Sequence, residues 1–253
     1  AAQQRGLDVR WQVEGHIVQA ELVAASENHT APLYPYITER SVNRYPYRLK
    51  PLPAYVKKGI AALLDDDMEI HWFERPAQRW RIAKLLMLNS DIRLHVPETY
   101  PIHRDMIDWN AADSADRMPA ACLGASLLTR VLMRWSLASS RRNDLLMRLP
   151  GSTLGVQLEL DAMPAMRCSA HFVMGFKPGK TTPHDTADYL RAGAAMQRFW
   201  LYLSSQHLVM QPWYIPLMLS RYVEDQVPFT THTAMQEKAK TLHAQFTQGI
   251  LAP

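Results

Sequence analysis

The sequence predicts an α+β fold: a long central helix, a small and mostly antiparallel sheet, and a helical insertion. Three observations carry that expectation. Residues 187–213 (ADYLRAGAAMQRFWLYLSSQHLVMQPW) place Leu190, Met196, Phe199, Trp200, Leu203 and Leu208 at a helical repeat too broad for one solvent-facing surface. Segments that alternate apolar and polar residues, as strands do, are few and short. Residues 90–149 are rich in Leu, Met and Trp and read as mostly helical. Few strands with many helices is the α+β pattern.

The first strand signal is residues 7–13, where Leu7, Val9, Trp11 and Val13 alternate with polar neighbours. A second, 16–23, follows Glu14-Gly15, which reads as a hairpin turn by position and composition. Residues 26–35 are a polar, Pro-bearing connector. Pro53 is placed to start a helix over 54–64, closed by Asp65-Asp66-Asp67, which reads as a solvated turn rather than a metal site because it lacks spaced partners. A short strand is expected over 69–74 and an amphipathic helix over 78–89.

Two or three helices fill 90–149, broken at Pro97, Pro101 and Pro119. A further helix is expected over 151–163, and residues 168–176 (CSAHFVMGF) read as the best buried strand. Asp185 or Thr186 can cap the long helix, and its small residues Ala192–Ala195 leave room for a backbone or a flat ligand. A short helix is expected over 216–222, and a polar amphipathic helix with Met235, Leu242 and Phe246 over 231–249.

A chain of 253 residues, 47% apolar, can bury a substantial core and is read as a single domain, 1–253. Its formal charge of +4 is scattered, and no nucleic-acid module accompanies it, so a nucleic-acid partner is not expected. Cys122 and Cys168 lack CxxC spacing and fit a reduced, cytoplasmic protein. No apolar run reaches the roughly 18 residues that span a bilayer, and no secretory signal opens the chain.

Several constellations invite chemistry and decline it. Residues 175–181 (GFKPGKT) resemble a phosphate loop, but three residues rather than four separate the glycines, and Pro178 offers no N–H. His95 and His103 are not spaced to share a helical face, and Pro97 and Pro101 intervene, so no metal is expected there. Gly124-Ala-Ser126 falls in a helical run and does not complete a Gly-x-Ser-x-Gly elbow. Cys168 on an extended strand points away from Ser169 and His171, which makes it a structural thiol.

The best chemistry-bearing set is Arg40, Ser41 and Arg44. Two guanidinium groups and a hydroxyl can grip a phosphate through charge-assisted bonds. The turn Met210-Gln211-Pro212-Trp213 is the second candidate, where something planar can lie against backbone amides.

The segment ITERSVNRYPYRLKPLP at 37–53 and the Ala/Gly-rich helix of 192–208, in that order and separation, resemble the FMN-dependent nitroreductase family. The resemblance extends from residue 1 to about 222 and is to a divergent branch, sometimes fused to a ubiquitin-activating-like adenylation domain. It implies bound FMN, with Arg40, Ser41 and Arg44 at its phosphate and Met210, Gln211, Pro212 and Trp213 at its ring. Hydride would pass from NAD(P)H through the flavin to a small organic acceptor. It makes 90–149 a lid, with His103 and Trp109 lining the substrate pocket, in a homodimer or an internally completed pseudo-dimer.

Departures are visible. Glu39 stands where many relatives carry Arg, the 210–213 turn lacks glycine, and the family's outer flavin-binding segments are missing, so the chain reads as a fragment. The alternative implied is a non-catalytic flavin-binding or protein-interaction domain, partner of an adenylating enzyme.

Overall fold

A hairpin opens the fold. β1 (Leu7–Glu14) and β2 (Ile17–Ala24) pair antiparallel from Leu7–Ala24 to Glu14–Ile17, as their alternation predicts, and Gly15 supplies a positive φ at the turn. The register puts Leu7, Val9, Trp11 and Val13 on one face with Val18, Ala20, Leu22 and Ala24. That face is wholly apolar, yet Trp11 and Leu22 are 62% and 61% exposed. This is a computed structural model, and it describes residue 2 and residues 5–15, 17–25, 31–177 and 185–251. His16, residues 26–30 of the expected connector and Pro178–Thr181 of the loop-like motif lie outside the described residues.

The chain divides into two compact units. The first comprises Ala1–Val42, Leu52–Trp72 and Phe172–Met210. After the hairpin it contains α1 (Ala54–Ala61), with Pro53 as its N-cap residue, and β3 (Met68–Phe73), which pairs with β6 (His171–Phe176). It also contains the long helix α8 (Thr186–Ser205). Asp185 caps α8, accepting from the Asp188 N–H at 2.8 Å. The helix stops at Gln206, where His207 takes φ +55°, about one turn short of the 210–213 turn it was expected to run into.

The core of this unit is built where α8 meets α1 and the strands. Val56, Ile60, Phe199, Leu203 and Met210 are buried there. Phe172 lies 4.5 Å from Phe199 and 5.8 Å from Trp72, ring centre to ring centre. Gly59 lets the Tyr202 hydroxyl lie where a side chain would otherwise stand. The small-residue face of α8 is used only at Ala195, which is fully buried; Gly193 faces open space. β6 is half-buried throughout, whereas β3 has one buried and one exposed position.

The Asp65–Asp67 run is more than a solvated turn. Arg191 donates to Asp67 at 2.6 Å and Arg198 to Asp65 at 3.1 Å, tying α8 to the end of α1.

The second unit comprises Asn43–Pro51, Phe73–His171 and Gln211–Pro253, and thus holds the 90–149 stretch. Its axis is α2 (Pro76–His95), longer than the predicted 78–89. Pro76 takes the first helical position, and the Gln78 side-chain oxygen accepts from the Glu74 and Arg75 N–H groups. α3 (Thr99–Met106) follows. Pro101 sits inside its first turn, where a missing N–H costs nothing, so it does not break the helix as expected.

A two-residue parallel ladder joins β4 (Ile107–Asp108) to β5 (Met118–Pro119). Then come α4 (Leu127–Leu137) and α5 (Ser140–Met147). The next helix is α over α6 (Leu154–Val156), widens to π over Gln157–Ala162, and returns to α in α7 (Met163–Arg167). α9 (Ile215–Glu224) and α10 (Thr233–Phe246) complete the unit, α10 running on as π to Leu251. Ile82, Leu85, Leu86 and Ile92 of α2 and Met235, Ala239, Leu242 and Phe246 of α10 are among its buried apolar residues, with α2 packed against α10, α9, α7 and the π stretch.

Gly124-Ala-Ser126 is not inside a helix. Gly124 has φ +77° at a short 3-10 turn, and Ser126 caps α4, accepting from the Thr129 N–H at 3.3 Å. Among the described residues no helix is long and apolar enough to cross a membrane.

Candidate functional site

Arg40, Ser41 and Met210 belong to the first unit and come together there. Val42 bridges Met210 in parallel, so the 40–42 segment runs beside the turn that follows α8. The Arg40 guanidinium stacks over the Trp200 ring at 4.2 Å and donates to the Gln197 side-chain oxygen at 3.2 Å. The Ser41 carbonyl accepts from the Trp200 indole N–H at 3.3 Å. Arg40 and Ser41 are exposed, while the Met210 side chain is buried. An exposed cation is thus held in one place by a ring and an amide, which is what a phosphate contact requires. The bridge engages part of the backbone beside Arg40.

Arg44, Gln211, Pro212 and Trp213 belong to the second unit. Arg44 sits on a tied loop. The Tyr45 N–H donates to Asn43 Oδ1, the Tyr47 hydroxyl donates to the Asn43 carbonyl, and the Tyr45 hydroxyl donates to the Ala121 carbonyl. The Arg44 carbonyl lies where a side chain on Gly124 would stand, which is why that position is glycine. The loop is therefore partly satisfied internally. Gln211 and Trp213 are half-buried and Pro212 exposed; Gln211 Oε1 is buried with no hydrogen-bond partner.

His103 and Trp109 both belong to the second unit. Trp109 packs on the cluster of Ile107, Ala120, Leu123 and Leu137, and it lines a cleft of about 660 Å³ together with Asp108, Arg117 and Arg134. His103 is absent from that lining. Burial and the nearby Arg93 guanidinium push its imidazole down to about 4, which keeps it neutral at neutral pH.

Sequence reasoning missed a buried polar knot in the second unit. Asn89 and Ser90 of α2 and Asp161 of the π stretch are at most 1% exposed. Both Asp161 oxygens, Ser90 Oγ, both Asn89 side-chain polar atoms and Arg93 Nε lack hydrogen-bond partners among the described residues. Burial pushes the Asp161 carboxyl up to about 7, against the opposing pull of Ser90 and Arg93. The signal was available: Asn89-Ser90 falls between Leu85-Leu86 and Ile92, at the core phase of an amphipathic helix.

Cys168 corrects another expectation. It ends α7 rather than lying on a strand, and its Sγ is 3.2 Å from His171 Nε2. The thiol is not activated by that contact. His171 Nε2 also approaches the Ala165 carbonyl at 2.9 Å, so it carries the proton and cannot act as the thiol's base. Burial pushes the thiol up to about 11, leaving it protonated and structural, as expected.

Comparison of the chain with protein-family models, with curated proteins and with solved structures finds no match.

Proposed function

We propose that this chain is an FMN-dependent oxidoreductase of the nitroreductase kind, passing hydride between NAD(P)H and a small organic acceptor. The observation that carries the reading is the fixed, exposed Arg40 guanidinium beside Ser41, on a segment bridged to Met210. Arg40 and the Ser41 hydroxyl take the phosphate in this reading. The turn at Met210 supplies the backbone against which the flat ring system rests. FMN, when bound, supplies the hydride chemistry; the chain supplies binding, orientation and electrostatics.

The test is titration of the purified chain with FMN, followed by quenching of flavin fluorescence. Saturable binding is expected, with NAD(P)H oxidation in the presence of a nitroaromatic acceptor. Arg40→Ala removes a charge-assisted bond worth about 1.5–3 kcal/mol, so the Kd should rise roughly tenfold or more. A chain that leaves FMN fluorescence unchanged overturns the proposal, and leaves the non-catalytic interaction domain in its place.

A further inference from the structure

The second unit holds a cleft of about 470 Å³ that no part of the flavin reading uses. Its floor is an ordered polar cluster centred on Asp91 of α2. Thr153 Oγ1 donates to Asp91 Oδ1 at 3.0 Å and Gln157 Nε2 donates to the same oxygen at 3.2 Å. Lys238 of α10 pairs with Oδ2. Thr153 and Gln157 are themselves buried, 3% and 9% exposed. Burial works to raise the Asp91 carboxyl, but Lys238, His95 and Thr153 outweigh it and hold the group below the usual carboxylate range. Asp91 is therefore a fixed anion.

That anion orients His95, one helical turn along. His95 Nδ1 lies 2.8 Å from the Asp91 carbonyl and 3.2 Å from Asp91 Oδ1. Both neighbours are acceptors, so Nδ1 carries the proton, and Nε2 is the nitrogen left for a ligand. Nε2 has no partner among the described residues. The cleft also receives Arg148, whose side chain makes no ion pair or hydrogen bond among the described residues. Two lysine or arginine cations thus face one carboxylate, already engaged.

The remaining wall is apolar. Leu149 and Leu154 stand on it 54% and 48% exposed, with Leu88 and Met147 beside them. The volume falls within the roughly 300–1,000 Å³ typical of small-molecule sites, and the mix of apolar wall with a few convergent polar groups is theirs too.

We propose that this cleft binds a small organic carboxylate with an apolar body. Arg148 takes the carboxylate, and the leucines cover the hydrocarbon. Asp91 is a positioning residue: it accepts from His95 Nδ1–H and fixes that ring at the cleft wall. The charged and titratable groups facing His95 across the cleft are Asp91, Lys238 and Arg148, from α2, α10 and the end of α5.

The test is isothermal titration of the full chain with octanoate, with acetate and 1-octanol as partial probes. Octanoate should saturate one site and outcompete either partial probe. Arg148→Gln is at an exposed position and should weaken octanoate roughly tenfold or more. Leu154→Asp, at an exposed position of the apolar wall, should weaken it likewise while circular dichroism stays unchanged. Absence of saturable octanoate binding overturns the proposal; so does binding unaffected by both substitutions. FMN titration of the same two variants should be unchanged, which separates this site from the flavin reading.

Discussion

Asp161 and His103 are opposite errors of solvation within one unit, and their opposition makes them measurable. An unfolded Asp161 loses its proton near 3.8, whereas the folded carboxyl holds it to about 7. Across that window the native state carries the extra proton, so stability falls as pH rises. His103 behaves inversely: the unfolded ring gains a proton at 6.5 and the folded ring only at about 4. Between those values stability falls as pH drops. Each slope is about 1.4 kcal/mol per pH unit, and the two oppose each other between about pH 4 and 6.5. Relative to the parent, Asp161→Asn should therefore gain stability with rising pH over that interval, and His103→Gln should lose it. Urea unfolding at a series of pH values reads both; slopes of the same sign in the two variants would refute the assignment.

Secondary elements were legible where a local rule had no competitor. The hairpin followed from strict alternation, and α8 from its apolar repeat with Asp185 ahead of it. Pro53 and Pro76 both stand at helix starts. Misreadings arose where one residue type has two readings. Pro101 was read as a breaker, although the first turn of a helix tolerates it. Cys168 was read as the start of the 168–176 strand, when it ends a helix.

Gly124 is a junction whose role only coordinates reveal. An alanine there meets both a positive φ and the Arg44 carbonyl, whereas Gly151, at φ +72°, has open space around it. Gly151→Ala should cost about 1 kcal/mol through backbone strain alone. Gly124→Ala should cost more than about 2 kcal/mol. Denaturant midpoints of the two variants give the comparison, and equal shifts would deny the packing role.

At the scale of the molecule, each unit is assembled from three separated stretches of chain, passing from one to the other after Val42, Pro51, Trp72, His171 and Met210. No single cut can release either unit whole. A chain ending at Met210 loses α10, whose Ala239 and Leu242 are fully buried in the second unit. It should unfold without a cooperative transition for that unit, as followed by circular dichroism on heating; a sharp transition of undiminished size would contradict this. The sequence could show that Arg40 and Ser41 resemble a phosphate grip. It could not show Asp91 and His95 meeting Arg148 and Lys238, because those residues stand up to 147 positions apart and share no motif.

The π stretch has a genetic corollary. Its six residues turn about as far as five do in an α-helix. Loss of the codon for Leu158, which is 47% exposed, would let the coil tighten while the turns on either side kept their faces toward α2. The same loss midway along α8 would swing every later side chain of that helix by roughly a quarter-turn. In-frame shortening should therefore be tolerated at one address in this chain and ruinous at the other.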